Sequence, residues 1–313
     1  MQMHPPDTAA QFRTVDDLAP ATLRHLLDRA ADRAADRAAN TEDAANTAES
    51  PLAGQTVALL FEKPSTRTRV SFETGVTRLG GHAQFLGPDD LQLGAGEPLR
   101  DTARALSGYV DGIVARLFGH DDLLTLAEYA TVPVVNGLTD AAHPCQTLAD
   151  LLTLRQTAGL DADLTWVGDA NNVCRSLVVG CAALDVDLTV ATPADYGLDD
   201  DLLDRAAALG GRPTVTTDPQ AAVAGADAVY TDVWVSMGED HKRDKRAAFV
   251  DGGFGVDESL LAHADDPVFM HCLPAHRGEE VTDAVLESDR AVVWQQAENR
   301  MYAQEALLEL LVG

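Results

Sequence analysis

The sequence is poor in lysine: Lys63, Lys242 and Lys245 are its only three among 313 residues. Lysine and arginine together number 23 against 50 aspartates and glutamates, which gives a formal net charge of -27. Such a surface repels nucleic acid and anionic membranes, so functions that need a basic face are disfavoured. The carboxylates are spread over the whole chain, which argues against an acidic binding tail. We therefore interpret the acidity as an adaptation to high salt; an unusually acidic mesophile protein is the alternative.

Long apolar runs and paired cysteines are missing as well. No run reaches the roughly 18 apolar residues that a membrane span requires. The N-terminal segment lacks a basic stretch followed by an apolar core, so we expect no secretory signal and a cytoplasmic protein. The four cysteines (Cys145, Cys174, Cys181 and Cys272) include no CxxC pair, which disfavours a disulfide framework and a structural zinc site.

Two nucleotide-binding motifs are also missing. The pattern GxxxxGK[ST] does not occur, so a phosphate-binding loop of that kind is not supported. The predicted strand Leu164–Val167 is followed by a turn with one glycine, Gly168, where a dinucleotide site would have GxGxxG. This weakens an NAD-dependent dehydrogenase, which we keep as an alternative from another enzyme class.

After Pro51, short apolar runs alternate with segments of helical periodicity, a pattern that predicts parallel α/β sheets. There are too many strands for one small sheet, so we expect two doubly wound parallel-sheet domains with the active site in the cleft between them. We predict a first domain at 1–148, a second at 149–295, and a C-terminal helix at 296–313 that packs back on the first. The predicted strands are Val57–Phe61, Gly112–Ala115, Val132–Asn136, Leu164–Val167, Leu188–Ala191, Ala228–Tyr230, Val268–Met270 and Ala291–Trp294. The predicted helices include Leu18–Ala39, Thr68–Leu79, Pro98–Gly108, Pro144–Ala158, Asn172–Leu184, Asp199–Leu209 and Met301–Leu311.

The stretch FEKPSTRTRVSFE concentrates hydroxyls and arginines in this acidic chain. A strand, then KPSTRT, then a helix places Ser65, Thr66 and Thr68 at a helix N-terminus, where free backbone N–H groups and the helix dipole attract an anion. The guanidinium groups of Arg67 and Arg69 suit phosphate oxygens. The alternative is an ordinary N-cap with both arginines on a solvated face. We favour an oxyanion or phosphate site.

Other polar side chains follow other predicted strands. Arg116 ends one strand, and His143 and Gln146 open a helix after the next. Guanidinium and imidazole groups can donate to a developing oxyanion, and an amide both donates and accepts. Asp232 and Cys272 follow two later strands. A structural histidine, a helix-capping aspartate and a buried apolar cysteine are the alternatives. Together these groups favour a cleft that holds a cationic amine against an anionic partner.

The motifs and their order along the chain resemble those of the aspartate/ornithine carbamoyltransferase family, and most closely those of its ornithine-specific members. The resemblance runs from about Pro51 to the C-terminus, through STRTR, the Gln92 loop, Arg116, HPCQ, GDANN, DVWVSMGE, HCLP and ENR. The low-complexity insert around 32–50 departs from the family pattern but lies outside the motifs. The resemblance implies transfer of a carbamoyl group from carbamoyl phosphate to the δ-amine of L-ornithine, giving L-citrulline and phosphate, with no metal or organic cofactor.

The resemblance also implies a role for each residue. Carbamoyl phosphate would be bound by Ser65, Thr66, Arg67, Thr68, Gln92, Arg116, His143, Gln146, Cys272, Leu273 and Arg300. Ornithine would be bound by Asn172, Asp232, Ser236 and Met237. Catalysis would involve Arg116, His143, Cys272 and Asp232: the first two polarise the carbonyl oxygen, and the last two lie near the amine that must lose a proton, for which the departing phosphate is the alternative base. Gln92 would cross from a neighbouring subunit, which implies a homotrimer or an assembly of trimers.

Alternative functions remain, both inside and outside this family. Aspartate carbamoyltransferases need cationic groups for a dicarboxylate, whereas this chain has Asp232 followed by SMG. Carbamoyltransferases for other amines, such as putrescine or lysine, would differ only in the loop around 232–239 and a few pocket positions. A non-enzymatic protein that binds an anion or an amino acid is a further alternative. The same residues would serve synthesis of citrulline and its breakdown.

Overall fold

The computed structural model describes residues 10–39, 50–91, 96–235 and 243–313. The chain divides into two compact units, a first unit of residues 1–145 with 300–313 and a second of residues 146–299. Each unit contains a five-stranded sheet whose strand pairs are all parallel. The predicted α/β class with two parallel sheets is therefore confirmed.

Strands and helices alternate along most of the chain. Within the described residues the strands are β1 (Gln11–Phe12), β2 (Thr56–Phe61), β3 (His82–Leu86), β4 (Gly112–Arg116), β5 (Val134–Leu138), β6 (Leu164–Val167), β7 (Leu188–Ala191), β8 (Thr214–Thr216), β9 (Ala228–Thr231) and β10 (Val268–His271). The α-helices there are α1 (Pro20–Ala39), α2 (Thr66–Arg78), α3 (Leu99–Ser107), α4 (His120–Tyr129), α5 (Pro144–Thr157), α6 (Asn172–Leu184), α7 (Asp200–Leu209), α8 (Pro219–Val223), α9 (Arg243–Asp251), α10 (Glu258–Leu261), α11 (Asp283–Leu286) and α12 (Val293–Leu311).

The sheet of the first unit has the strand order β1-β5-β4-β2-β3. Its central strands are buried along almost their whole length, as expected of parallel strands covered on both faces. The register pairs Phe61 with Arg116, the last residues of β2 and β4. Chain segments that leave these strands therefore start at one edge of the sheet, where α2 begins.

The sheet of the second unit has the order β10-β9-β6-β7-β8. Adjacent β6, β9 and β10 end beside one another, so the turns that follow them share one edge. The turn after β6 needs a glycine: Gly168 has φ 145°, and a Cβ there would lie 3.2 Å from Oγ1 of Thr231. This edge carries the GDANN, DVW and HCLP motifs.

One predicted strand is wrong. Within Ala291–Trp294, Ala291 makes a single bridge to Phe269, and Val293 already begins α12. A run of four apolar residues has no periodicity that separates a strand from the buried start of a helix. The helix predicted at Met301–Leu311 is correspondingly longer at its N-terminal end. The short strands β1, β3 and β8 were not predicted, because they are brief or carry polar and exposed residues.

Apolar packing holds the second unit together around an aromatic cluster. Trp234 stacks on Phe249 at 5.4 Å between ring centroids, and Phe249 meets the edge of Phe254 at 5.8 Å. All three rings are buried, and such pairs stabilise by about 0.5–1.5 kcal/mol beyond their buried area. Trp234 lies two residues after Asp232, so this cluster holds the described residues just beyond Asp232. In the described residues, no helix is both long and apolar enough to cross a membrane.

Candidate active site

The first turn of α2 begins at Ser65, which is its N-cap. Ser65 Oγ accepts the backbone N–H of Thr68 at 3.3 Å. Thr66 and Arg67 are exposed, whereas Thr68 is buried. An N-cap satisfies only one or two of the four free N–H groups at a helix start, so capping and anion binding are compatible here.

Arg69 does not join the other cations at this helix start. Its Nε donates to Glu73 Oε1 at 3.0 Å, and its guanidinium carbon lies 3.6 Å from the centroid of the Phe85 ring. Residues four apart share one face of a helix, which explains the pair with Glu73. The solvated-face alternative therefore describes Arg69, whereas Arg67, which the resemblance assigns to carbamoyl phosphate, is exposed at the helix start.

Arg300 of α12 connects two predicted site residues. Its Nη2 donates to the Thr68 hydroxyl oxygen at 2.8 Å, and its Nη1 lies 3.5 Å from Nε2 of His143. A guanidinium only donates, so Nε2 accepts and the ring proton belongs on Nδ1. Burial, and then the charges of Arg300, Arg116 and Lys63, lower the pKa of His143 well below 6.5. At neutral pH this imidazole is therefore uncharged.

Arg116 is the last residue of β4 and only 5% exposed. Its Nε is buried and has no hydrogen-bond partner among the residues that the structure describes. Burial, then repulsion by Arg300 and Arg67, lowers the pKa of Arg116 to about 10, so the group is still charged at neutral pH. Burial and then Arg116 likewise lower the pKa of Lys63. A bound anion would relieve this repulsion among cations.

Asp232, directly after β9, is the centre of a second group. Its Oδ2 accepts from Asn171 Nδ2 at 2.8 Å, and its Oδ1 accepts from the Cys272 thiol at 3.0 Å. Asn171 is also the N-cap of α6, since its Oδ1 accepts the N–H groups of Val173 and Cys174. Asn171 was not among the predicted site residues, although an asparagine before a helix is a recognisable cap signal.

Asn172, predicted to bind ornithine, is the first residue of α6 and is half-buried. Its carbonyl oxygen accepts from Ser176 Oγ at 2.9 Å. Gln92, Ser236 and Met237 lie outside the described residues, so their predicted roles remain predictions. The same holds for every ligand contact assigned above.

The HCLP segment after β10 is held in an unusual backbone shape. Leu273 has φ 58°, a conformation that L side chains seldom adopt, and the Leu273–Pro274 peptide is cis. The N–H of Leu273 donates to His271 Nδ1 at 2.8 Å, so the ring proton is on Nε2, which lies 3.1 Å from Glu280 Oε1. That oxygen also accepts the N–H of His276 at 2.6 Å. Glu280, which sequence reasoning missed, is fully buried and braces both ends of this loop.

Gln146 belongs to a buried polar network centred on Asp150 of α5. Gln146 Nε2 and Gln296 Nε2 each donate to Asp150 Oδ1 at 2.7 Å, and the Tyr230 hydroxyl donates to Oδ2 at 3.0 Å. Gln296 Oε1 accepts the backbone N–H of His271 at 2.9 Å. The network therefore joins Gln146 to the first residue of the HCLP segment.

Two groups of side chains have the donor types of a metal site. Ligand atoms of Asp232, His271 and Cys272 lie within 4.8 Å of one another, and so do those of His276, Glu279 and Glu280. In the first group the Cys272 thiol donates to Asp232, while both ring nitrogens of His271 are engaged by Leu273 and Glu280. These atoms are thus committed to hydrogen bonds within the protein.

Two family models and many known proteins match the chain along most of its length. The family model "aspartate/ornithine carbamoyltransferase, carbamoyl-P binding domain" matches residues 11–156, and the corresponding "Asp/Orn binding domain" matches residues 161–311. The chain is 57% identical to an ornithine carbamoyltransferase of Haloquadratum walsbyi over 307 residues, covering 97% of this chain and 98% of that relative.

Solved structures give the same result. The ornithine carbamoyltransferase from Pyrococcus furiosus matches with a TM-score of 0.90 at 44% identity, covering 98% of both chains. An N-acetyl-L-ornithine transcarbamylase matches with a TM-score of 0.83 at 34% identity, covering 96% of this chain and 99% of that one. With both domain models matched and a relative more than half identical along nearly its entire length, the chain belongs to the aspartate/ornithine carbamoyltransferase family.

Proposed function

We propose that the protein transfers the carbamoyl group of carbamoyl phosphate to the δ-amine of L-ornithine, giving L-citrulline and phosphate. The observation that carries this proposal is the group of cations and donors around Arg300, in a chain that is otherwise strongly acidic. Arg300 contacts the Thr68 hydroxyl and neutral His143, and its charge helps to lower the pKa of Arg116. The relatives named ornithine carbamoyltransferase support the choice of amine.

Carbamoyl phosphate is assigned to the domain at 1–148 with the helix 296–313, and ornithine to the domain at 149–295. The two family models support the division of the main part of the chain, because they match residues 11–156 and 161–311. The C-terminal helix lies within the second range; its assignment to the first domain is supported by the bond of Arg300 to Thr68 and by the place of residues 300–313 in the first unit. Phosphate would be bound at the start of α2 by Ser65, Thr66, Arg67 and Thr68, with Arg116, Arg300 and, from a neighbouring subunit of a homotrimer, Gln92. The α-amino and α-carboxylate groups of ornithine would be bound by Asn172, Asp232, Ser236 and Met237.

Negative charge develops on the carbonyl oxygen when the amine attacks, and donors must meet it there. Arg116 contributes a permanent cation, and His143 contributes its Nδ1–H because Nε2 faces Arg300. The Thr68 oxygen accepts from Arg300, so its own hydrogen is available to donate. Removing one such donor typically slows an acyl-transfer enzyme by about 10²–10³-fold. The carbamoyl NH2 would be held by Gln146 and by the backbone at Cys272 and Leu273.

Ornithine must reach the carbonyl carbon as a neutral amine, although an alkyl ammonium has a pKa of about 10.4 in water. The Asp232 carboxylate is paired with the Cys272 thiol and the Asn171 amide, which hold it at the end of β9. It would accept the amine proton or pass it to the departing phosphate. Alignment of the two substrates accounts for much of the remaining acceleration.

An amine panel tests this function. Purified protein in molar KCl at slightly alkaline pH is given carbamoyl phosphate with L-ornithine, N-acetyl-L-ornithine, L-lysine, putrescine or L-aspartate. We expect citrulline and phosphate in equal amounts from ornithine, and at least tenfold lower kcat/KM with the other amines. Preference for another amine would move the protein to a rival within the family. No turnover together with specific anion binding would favour a binding protein, and NAD-dependent absorbance change at 340 nm with a hydroxy acid would favour a dehydrogenase.

A further inference from the structure

The buried carboxylate of Asp150 is not among the residues assigned to a substrate, yet it organises one that is. Asp150 is 1% exposed and accepts three hydrogen bonds, from Gln146, Gln296 and Tyr230. An ionised carboxylate only accepts, so every neighbour must turn a donor toward it. Burial, and then the Asp150 charge, raise the pKa of Tyr230 well above 10, which keeps its hydroxyl protonated for donation.

This requirement sets the direction of the Gln146 amide. Its Nε2 lies 2.7 Å from Asp150 Oδ1, so the NH2 end faces the carboxylate and Oε1 occupies the other branch of the amide. Without a neighbour of fixed polarity, a glutamine amide can present either end. Asp150 removes that choice, because Nε2 must face the carboxylate and Oε1 must face away from it.

Gln296 repeats the arrangement on the other side of Asp150. Its Nε2 donates to the carboxylate, which leaves Oε1 to accept the N–H of His271 at 2.9 Å. His271 begins the HCLP segment whose backbone was assigned, with Gln146, to the carbamoyl NH2. Asp150 thus sets the direction of the Gln146 amide and, through Gln296, holds the backbone at the start of the HCLP segment.

We propose that Asp150 is a positioning residue that makes the protein selective for a carbamoyl over an acetyl group. This inference rests on the proposed function, in which Gln146 meets the carbamoyl NH2. Acetyl phosphate has the shape of carbamoyl phosphate, but a methyl group replaces the NH2 donor. A site built to accept a hydrogen bond discriminates strongly against an analogue that lacks the donor. Asp150 would act through Gln146 and touch neither substrate.

The test compares affinities for the two acyl phosphates by calorimetry in the full-length protein, so it does not depend on turnover. Asp150→Leu removes the acceptor at nearly constant volume. We expect the preference for carbamoyl over acetyl phosphate to fall at least about tenfold in D150L, mainly through weaker carbamoyl phosphate binding. D150N keeps one oxygen that can accept from both glutamines but loses the fixed polarity of the carboxylate, so its preference should lie between those of the wild type and D150L.

Thr153→Val is the matched control. Thr153 lies one turn further along α5, is fully buried, and accepts from Asn299 Nδ2 of α12 at 2.8 Å, as Asp150 accepts from Gln296. T153V should lose stability but keep the wild-type preference. If D150L does not fold, Gln296→Leu is the second variant, for which we expect a several-fold loss of preference.

The outcomes separate the two proposals. If D150L prefers carbamoyl over acetyl phosphate as strongly as the wild type does, the role of Asp150 is overturned even if citrulline is formed. Where only Q296L folds, the same result in Q296L overturns it. An equal loss in T153V would also overturn it, because the effect would then be structural. If the wild type prefers carbamoyl phosphate and D150L does not, Asp150 keeps its role even where the amine panel rejects ornithine.

Discussion

Arg300 donates from Nη2 to the Thr68 hydroxyl oxygen over 2.8 Å, and 232 positions of sequence separate the two residues. Both side chains are buried, at 3% and 2% exposure. Arg300, the last residue of the ENR motif, thereby reaches the first turn of α2, and both residues belong to the first unit. The hydrogen bond also leaves the Thr68 hydrogen available to a substrate, so loss of either partner should damage the same function.

Thr68→Val tests this relationship. The variant keeps the shape of the side chain but loses the acceptor for Arg300 and the donor for substrate. We expect kcat/KM for carbamoyl phosphate to fall about 10²–10³-fold. R300M should give a similar loss, and the double variant should lose little more, because coupled residues are not additive. T77V, on the exposed side of the same helix, should behave as wild type. If the losses in T68V and R300M simply add in the double variant, the coupling between the two residues is contradicted.

Arg116→Ala should lower turnover by about two to three orders of magnitude and leave the fold intact. The guanidinium is buried among like charges, which lower its pKa to about 10, so its removal relieves repulsion. Inorganic phosphate should raise the Tm of the wild type more than that of R116A, because a ligand stabilises the folded state it binds. R104A, an exposed arginine in α3, is the control. Near-normal turnover in R116A would disprove its role.

His143 should make the protein less stable in mild acid. Its pKa is well below the ordinary 6.5, so below pH 6.5 the unfolded chain binds a proton that the folded chain excludes. As the pH is lowered below 6.5, the free energy of unfolding should therefore decrease by up to about 1.4 kcal/mol per pH unit relative to that of H143Q. Denaturant titrations at pH 7.5, 6.5 and 5.5, values chosen to span this window, measure the difference. H82Q, on exposed β3, should follow the wild type; parallel curves for wild type and H143Q would contradict the prediction.

Asp232→Asn should affect ornithine far more than carbamoyl phosphate. Asn171 and Cys272 hold its carboxylate at the end of β9, and in the proposed function this carboxylate meets an ammonium group of ornithine. Loss of a hydrogen bond to a charged group costs about 1.5–3 kcal/mol, so KM for ornithine should rise roughly 10- to 100-fold. Initial rates with each substrate varied in turn provide the comparison. D187N, an exposed carboxylate of the same unit, should change neither constant; an equal rise for both substrates would indicate general damage.

Salt should stabilise the protein. With a net charge of -27 the folded chain repels itself, and the screening length falls from about 30 Å at 0.01 M to about 3 Å at 1 M salt. We expect Tm to rise between dilute buffer and molar KCl. The double variant D201N with D204N removes two exposed charges of α7 and should raise Tm in dilute buffer more than in molar KCl. A Tm that does not change with KCl would refute adaptation to high salt.

Sequence patterns predicted the central elements well and the marginal ones poorly. Helix α6 and the strands β6 and β7 have the predicted bounds, because their apolar runs are continuous and end at clear turn residues. The strand predicted at Ala291–Trp294 failed because four apolar residues fit a buried helix start equally well. Strand β8 was missed because its residues are short, polar and partly exposed; only pairing with β7 makes it a strand.

By itself, the sequence predicted the two parallel sheets through its alternation of apolar runs and helical segments, and the family and the candidate residues through the order of its motifs. Those are local properties, since an apolar run, a cap or a strand end can be recognised from neighbouring residues. Only the tertiary structure decided that Arg69 pairs with Glu73, that Asn171 contacts Asp232, and that Asp150 orients Gln146. Hydrogen bonds depend on distances of about 3 Å and on direction, and folding alone determines both for residues far apart in the chain.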